Sequence, residues 1–305
     1  MSPYRAAYES AALFDLSDHA MIELTGRDAR EFLHNLCTQD VKDLPVGESR
    51  EAFLTTSKAR VIAHVWIWHR KQDVLLLGCA ACQAEKLLQH LNHYLISEQV
   101  EVQSRPEFSL LRVVGPKAKA AAASAGLWLI RANSLPEHES VDLLLADADG
   151  DAIELRQRIV DYGAVQGDPA TYNILRIEAG LPEYGIDIDE NRLAMEVNRT
   201  AQAISYAKGC YLGQETIVMA RDRGQVNRLL TGVKIAGGSA LAHGAKLFRA
   251  NEEVGHVTSS VFSPKLEQVI ALAYLRRGSW EPGTNVEIDP ATDGRAAVVS
   301  ALPFC

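Results

Sequence analysis

The stretch between residues 176 and 228 concentrates the side chains best equipped for chemistry. It opens with Arg176-Ile177-Glu178-Ala179-Gly180-Leu181-Pro182-Glu183-Tyr184-Gly185-Ile186-Asp187 and continues with Lys208-Gly209-Cys210-Tyr211-Leu212-Gly213-Gln214-Glu215. It closes with Arg221-Asp222-Arg223-Gly224-Gln225-Val226-Asn227-Arg228. The interspersed glycines let the backbone turn sharply or lie close to a ligand. The same residues also read as turns joining ordinary elements, with solvated charges. Cys210 is the candidate reactive thiol. Lys208 lies two residues before it, and a helix is expected over 213–222; a nearby cation and a helix N-terminus both favour thiolate, the nucleophilic and metal-binding form. The competing reading of Cys210 is a small buried hydrophobe. Cys79-x-x-Cys82 supplies half a tetrahedral metal site with no second pair to complete it, so packing is the favoured reading. The chain has no HExxH, GxSxG, Walker or Rossmann pattern, so nucleotide and serine-hydrolase chemistry have no support.

The elements that must position these residues follow from pattern. Phe32, Leu33 and Leu36 fall at helical spacing behind Asp28, which suits an N-cap. Residues 61–68 read as a strand and His69–Asp73 as a polar turn before Val74–Leu77, together a hairpin. Over 80–95, Leu87, Leu88, Leu91, Tyr94 and Leu95 share one helix face, with His90 and His93 turned to solvent. A strand at 110–114, an Ala-rich helix at 116–125 and a strand at 141–146 follow. Asp168 caps a helix with Pro169 at its first position, ending near Gly180 ahead of Pro182. Beyond residue 225, β-type runs at 229–235, 246–249, 254–260, 268–274, 285–288 and 296–300 alternate with glycine and proline turns, the signature of a small antiparallel barrel. The expected fold is α+β, with a region over 1–225 and a barrel domain over 226–305.

Composition sets bounds on function. The 305 residues are 47% hydrophobic and 23% charged, ordinary for two or three folded units with substantial cores. A formal charge of −8, from 31 basic and 39 acidic residues, opposes non-specific attachment to nucleic acid or an anionic membrane. Five scattered cysteines do not form a disulfide framework and point to a reducing compartment. With no targeting peptide or membrane-length apolar run in view, the expectation is a cytoplasmic bacterial protein, or a matrix protein if eukaryotic.

The eight residues Lys208 to Glu215 resemble the K-G-C-[FY]-x-G-Q-E signature of the YgfZ-type folate-binding proteins. RIEAGLPEYGIDI is similar to a stretch shared across the wider aminomethyltransferase (GcvT) superfamily. Gly26-Arg27-Asp28-Ala29, Val254-Gly255 with Val257-Thr258-Ser259, Ser263-Pro264 and Ile270–Ala273 extend the resemblance over nearly the whole chain. The resemblance implies a three-domain ring: two mixed α+β, ferredoxin-like units, the first discontinuous, plus a C-terminal antiparallel barrel. It also implies a tetrahydrofolate or one-carbon-derivative cofactor. Glu178 would accept two adjacent pterin N–H groups, Tyr184 would offer a flat wall, and Lys208, Arg221, Arg223 or Arg228 would meet the anionic folate. Glu178 paired with Arg176 or with solvent is the alternative. Lys208, Gly209, Cys210, Tyr211, Gly213, Gln214 and Glu215 are the signature positions. In the stretch Ser57-Lys58-Ala59-Arg60-Val61-Ile62-Ala63-His64, His64 stands where the transferases carry an aspartate, which argues against glycine-cleavage activity. The reading the resemblance favours is an accessory factor for iron–sulfur enzymes, including radical enzymes of tRNA modification, with those proteins or their assembly machinery as partners. A folate-dependent aminomethyltransferase is the alternative, and a direct tRNA-binding module is disfavoured by the charge.

Overall fold

A computed structural model describes residues 1–124, 129–132, 135, 138–145, 152–223 and 226–304, with backbone alone for 129–132, 152 and 223. The chain forms two compact units. One comprises Met1–Tyr172 with Ala201–Gln214, and the other Asn173–Thr200 with Glu215–Cys305.

The first unit begins with α1 (Pro3–Glu9), β1 (Ala12–Asp15), β2 (His19–Thr25) and α2 (Ala29–Leu36). Next come β3 (Ser49–Thr55), β4 (Val61–Lys71), β5 (Val74–Ala80), α3 (Ala84–Tyr94) and β6 (Glu101–Ser104). Then follow β7 (Ser109–Val114), α4 (Ala118–Ala123), β8 (Leu129–Ala132), β9 (Ser140–Leu145), α5 (Ala152–Asp161) and β10 (Val165–Gln166). They build two five-stranded sheets, ordered β3-β4-β5-β2-β6 and β10-β1-β7-β9-β8. Strand β1 thus precedes the first sheet in sequence and joins the second.

Alternation sorts the strand residues. Ala52, Leu54, Ala63, Val65, Ile67, Leu75 and Leu77 pack on Phe32, Leu33, Leu36, Leu87 and Leu91 of α2 and α3. On the opposite face Trp68, Leu76 and Met21 join Leu110 and Leu144 of the second sheet. A buried charge pair sits there. Arg112 donates to Asp142 through Nε at 2.7 Å and Nη2 at 2.9 Å, and to the Tyr172 hydroxyl at 2.7 Å; the Trp68 indole also donates to Asp142, at 3.3 Å.

Three local readings are corrected. His69, Arg70 and Lys71 continue β4 rather than forming the turn, because His69 pairs with Leu75 and Lys71 with Val74. The turn narrows to Gln72-Asp73, with Asp73 at φ 59°. Asp28 precedes α2 but makes no side-chain cap; its carboxylate accepts from the Gln99 amide at 2.8 Å instead. His90 is half-buried against Tyr94, and burial pushes its pKa down to about 4. Asp168 does cap its helix, accepting from the Thr171 amide at 2.8 Å.

That helix, α6 (Pro169–Glu178), leads into the second unit, followed along the chain by α7 (Thr200–Ala203) and α8 (Gln214–Arg223). The six strands β11 (Arg228–Ile235), β12 (Lys246–Arg249), β13 (Glu252–Ser263), β14 (Gln268–Arg276), β15 (Asn285–Ile288) and β16 (Ala296–Ser300) close into a barrel in the order β11-β14-β13-β12-β15-β16. Each lies on an expected β run. Val233, Ile235, Leu247, Val257, Val269, Ala271, Ala273 and Val299 fill the interior. Leu230, Ile270, Leu272 and Tyr274 face outward and are covered by Ile177 of α6 and by Phe304.

Replacing Asp142 with alanine strands the Arg112 charge in the interior. The expected loss is about 3–5 kcal/mol, read as a fall in urea midpoint, and the double change Arg112→Met with Asp142→Leu is expected to restore most of it.

Candidate functional site

In the first unit the Lys208–Gly213 segment is pinned at alternate points. Lys208 is buried, and its ammonium donates to the carbonyl oxygens of Cys37 at 2.8 Å and Gln39 at 2.9 Å, and to that of His34. It also lies 4.9 Å from the Tyr211 ring centroid. Burial pushes the Lys208 pKa down, but three carbonyl dipoles are what a desolvated ammonium requires. Tyr211 is buried as well, and Thr55 donates its hydroxyl to the Leu212 carbonyl at 3.0 Å. Gly213 has φ +87°, and a Cβ there would lie 2.5 Å from Thr55 Oγ1 and 2.7 Å from Thr56 O, so only glycine fits. Between these anchors Cys210 is exposed, and a Cβ on neighbouring Gly209 would meet nothing within 4 Å.

The sequence reading treated Lys208 as a cation for the Cys210 sulfur or for a ligand. Its ammonium is instead committed to the carbonyls of the 34–39 turn. The thiol within its field is Cys37, where burial outweighs the lysine and pushes the pKa up. Helix α8 does begin just after the motif, at Gln214. Cys79 packs in the core, and burial drives its thiol up to about 12, while Cys82 is exposed. Among the described residues no three His, Cys, Asp or Glu side chains are placed to hold a metal ion.

The second unit holds the carboxylates. Glu178, the last residue of α6, is buried at 5% exposure, and its Oε1 accepts from the Ser263 hydroxyl at 2.5 Å. Ser263 Oγ in turn accepts from the Leu266 amide at 3.1 Å. The helix stops because Gly180 takes φ +66° and packs on Leu302, and the Glu178 carbonyl accepts from the Phe304 amide at 2.9 Å. Arg176 turns toward other acids: Nη1 donates to Asp187 at 2.8 Å, and Nε lies 3.1 Å from Glu183. Asp187 also accepts from the Glu183 amide at 2.9 Å, from Ser259 Oγ at 2.7 Å and from Thr258. Tyr184, half-buried, forms an isolated bridge with Ile188 inside the same loop.

Arg221 is exposed and paired with Asp222 at 2.7 Å. Arg228 is exposed at the head of β11. The Arg223 side chain, Gly224 and Gln225 lie outside the described residues. Sequence reasoning passed over Arg192, whose guanidinium stacks 3.8 Å from the Tyr274 ring centroid, with Nη2 at 3.4 Å from His256 Nε2. Burial, with Arg192 and Arg228 beside it, pushes the His256 pKa down. Arg192 and Arg228 thus both act on His256, a grouping that linear spacing could not reveal.

His64 has a buried partner that the strand pattern did not disclose. Its Nε2 lies 2.8 Å from Oε1 of Glu51, and its ring stacks on Phe53 at 5.0 Å.

Two family models match this chain: the GCVT N-terminal domain over residues 2–127 and the glycine cleavage T-protein C-terminal barrel domain over residues 228–305. An aminomethyltransferase of Alcanivorax borkumensis is 26% identical, over 99% of this chain and 87% of that protein. One of Rubrobacter xylanophilus is 27% identical, over 89% and 78%. The crystal structure of glycine cleavage system aminomethyltransferase T from Bartonella henselae superposes with a TM-score of 0.89 at 23% identity, covering 99% of this chain and 88% of that one. The α+β architecture with its closed six-stranded barrel is thus the fold of that group. Among the described residues no helix is long and apolar enough to cross a membrane.

In the native protein, iodoacetamide followed by peptide mass mapping is expected to label Cys82 and Cys210 rapidly, and Cys37 and Cys79 only after unfolding. Lys208→Met strands three carbonyls and is expected to lower stability by about 2–3 kcal/mol in urea melts.

Proposed function

Because the chain belongs to the glycine cleavage T-protein (GcvT) superfamily, we propose that it binds tetrahydrofolate or a one-carbon derivative, with Glu178 gripping the pterin. The observation that carries this reading is a carboxylate buried at 5% exposure at the end of α6, where Ser263 donates to its Oε1 at 2.5 Å. A buried carboxylate is an acceptor-only group, and in a low-dielectric setting it is a strong receptor for paired N–H donors such as a reduced pterin presents. The guanidinium groups of Arg192 and Arg228, both beside His256, could meet an anionic tail.

Two readings of what is done with the folate follow. The names of the relatives favour aminomethyl transfer, the alternative weighed in the sequence analysis, over a role with iron–sulfur proteins. A specific observation supports the second: the K-G-C-Y segment is built to present Cys210 at the surface, held from beneath by Lys208 and Tyr211. The segment resembles the motif of the YgfZ branch, and it would suit an accessory factor whose thiol meets iron–sulfur clients. Tyr184 would line the pocket in either case.

Anaerobic calorimetry with tetrahydrofolate is expected to give micromolar affinity, about −8 kcal/mol. Glu178→Ala is expected to weaken it at least roughly a hundredfold, the scale of a lost charge-assisted pair. Wild-type protein that releases no heat would refute the folate reading. Methylene-folate formation from an aminomethylated lipoyl carrier would establish transfer. Loss of cluster-enzyme activity in a deletion strain, restored by wild type but not by Cys210→Ala, would establish the accessory role.

A further inference from the structure

The outer face of the barrel gathers positive charge around Tyr274 with little to answer it. Tyr274 on β14 lies opposite His256 of β13 on one side and Leu230 of β11 on the other. Two residues along, Arg276 lies directly opposite Arg228, and the strand period places that pair on the same face as Tyr274. Like charges set directly opposite each other across an antiparallel pair destabilise it. Over this face lies Arg192, with its guanidinium 3.8 Å from the Tyr274 ring centroid. All of these residues belong to the second unit.

Arg192 carries the strongest constraint. Its side chain keeps 13% exposure, and a guanidinium is always charged. Taking that charge out of water is costly unless an anion and hydrogen bonds compensate it. Among the described residues its ion-pair partner is Asp189, at 3.9 Å from Nε, and that carboxylate is half-exposed and accepts the Asn191 amide at 2.7 Å. Within the same set Nε has no hydrogen-bond partner, and neither has the Tyr274 hydroxyl, on a side chain with 1% exposure. Nη2 reaches His256 Nε2 at 3.4 Å, so the neutral imidazole carries its hydrogen on Nδ1 and presents a further donor. Burial, then Arg192, Arg228 and His243, hold His256 toward its neutral form; Glu253, which opposes them, is tied to Lys246 at 2.8 Å. The face is rich in donors and cations and poor in acceptors. For packing alone, phenylalanine and leucine would fill these positions at lower cost.

We infer that Arg192, the Tyr274 hydroxyl and His256 form an oxyanion-binding site on the outer face of the barrel, with Arg228 and Arg276 drawing the anion in. The bound group is a carboxylate or a phosphate, whose oxygens accept from guanidinium, phenol and imidazole together. It enters from solvent, in which Arg192 and His256 both keep part of their surface. For a free oxyanion the inference stands on these residues alone; for the anionic end of folate it rests on the reading above. No bond is made or broken.

The test is histidine NMR on the full chain, titrated with inorganic phosphate and with glutarate against chloride at equal ionic strength. The His256 ring signals are expected to shift saturably, with a midpoint of about 1 mM for one or both anions. The His256 titration midpoint is expected to rise once the anion offsets the field of Arg192 and Arg228. Arg192→Gln is expected to abolish saturation. Tyr274→Phe keeps the stacked ring and is expected to weaken binding about five- to tenfold without lowering the urea midpoint. No saturation with either anion, or saturation that either variant retains at wild-type strength, overturns the inference. Phosphate that competes with tetrahydrofolate in anaerobic calorimetry identifies the folate tail as the source of the oxyanion, and phosphate that binds alongside it identifies a separate ligand; either result upholds the site. Tetrahydrofolate binding by a protein that shows no oxyanion saturation leaves the preceding proposal standing. Saturation by a protein that binds no tetrahydrofolate overturns that proposal alone.

Discussion

The second unit depends on the Asp187 carboxylate. A buried charge survives only when its lone pairs are filled, and Asp187 collects Arg176, the Glu183 amide, Ser259 and Thr258. The first contact reaches back to α6, the second closes the 183–188 loop, and the last two fasten both to β13. Because Arg176 is engaged there, Glu178 one half-turn later meets Ser263, further along the same strand. One barrel strand therefore sets the positions of both acids. The polar residues between 176 and 187, which in sequence resemble a solvated turn, form a wired junction.

The first unit solves a similar problem with the opposite sign. The Lys208 ammonium fills the carbonyls of the turn after α2 and thereby holds the signature segment down. Its neighbour Cys210 is exposed as a result of that anchoring. A lysine two residues from a cysteine reads as electrostatic activation in one dimension. In three dimensions it is a mechanical support, and its field falls on Cys37.

Much of the architecture was legible. The six barrel strands announced themselves through short β-branched runs between glycine and proline turns, and α6 through Asp168, Pro169 and Gly180, because these signals are local. Cys210 is exposed rather than buried; of the pair read as packing, Cys79 is buried but Cys82 is exposed. What was missed depends on contacts between distant segments. Glu51 lies 13 residues before His64 and carries no motif. Arg192 gains meaning only from Tyr274, on a strand about eighty residues later. The hairpin turn was drawn too wide because His69, Arg70 and Lys71 look polar, yet His69 is buried with Nδ1 on the Leu44 carbonyl at 2.7 Å. Asp28 failed as a cap because its carboxylate found the Gln99 amide, a contact no local rule foresees.

The irregularity in β13 has one more consequence. Val257 pairs with Ala273, but the next pair is Ser259 with Leu272, so Thr258 is an extra residue in the ladder. An extra residue changes the parity of a strand. Odd-numbered Val257 and even-numbered Ser260 both sit opposite interior alanines, Ala273 and Ala271, and the two hydroxyls between them emerge on one side, where a regular strand would send them to opposite sides. In a strand without the extra residue, neighbouring positions point to opposite faces, so only one hydroxyl could turn toward Asp187. The barrel thus carries a frameshift of its own, in space rather than in code, and the acid junction exists because the strand loses count there.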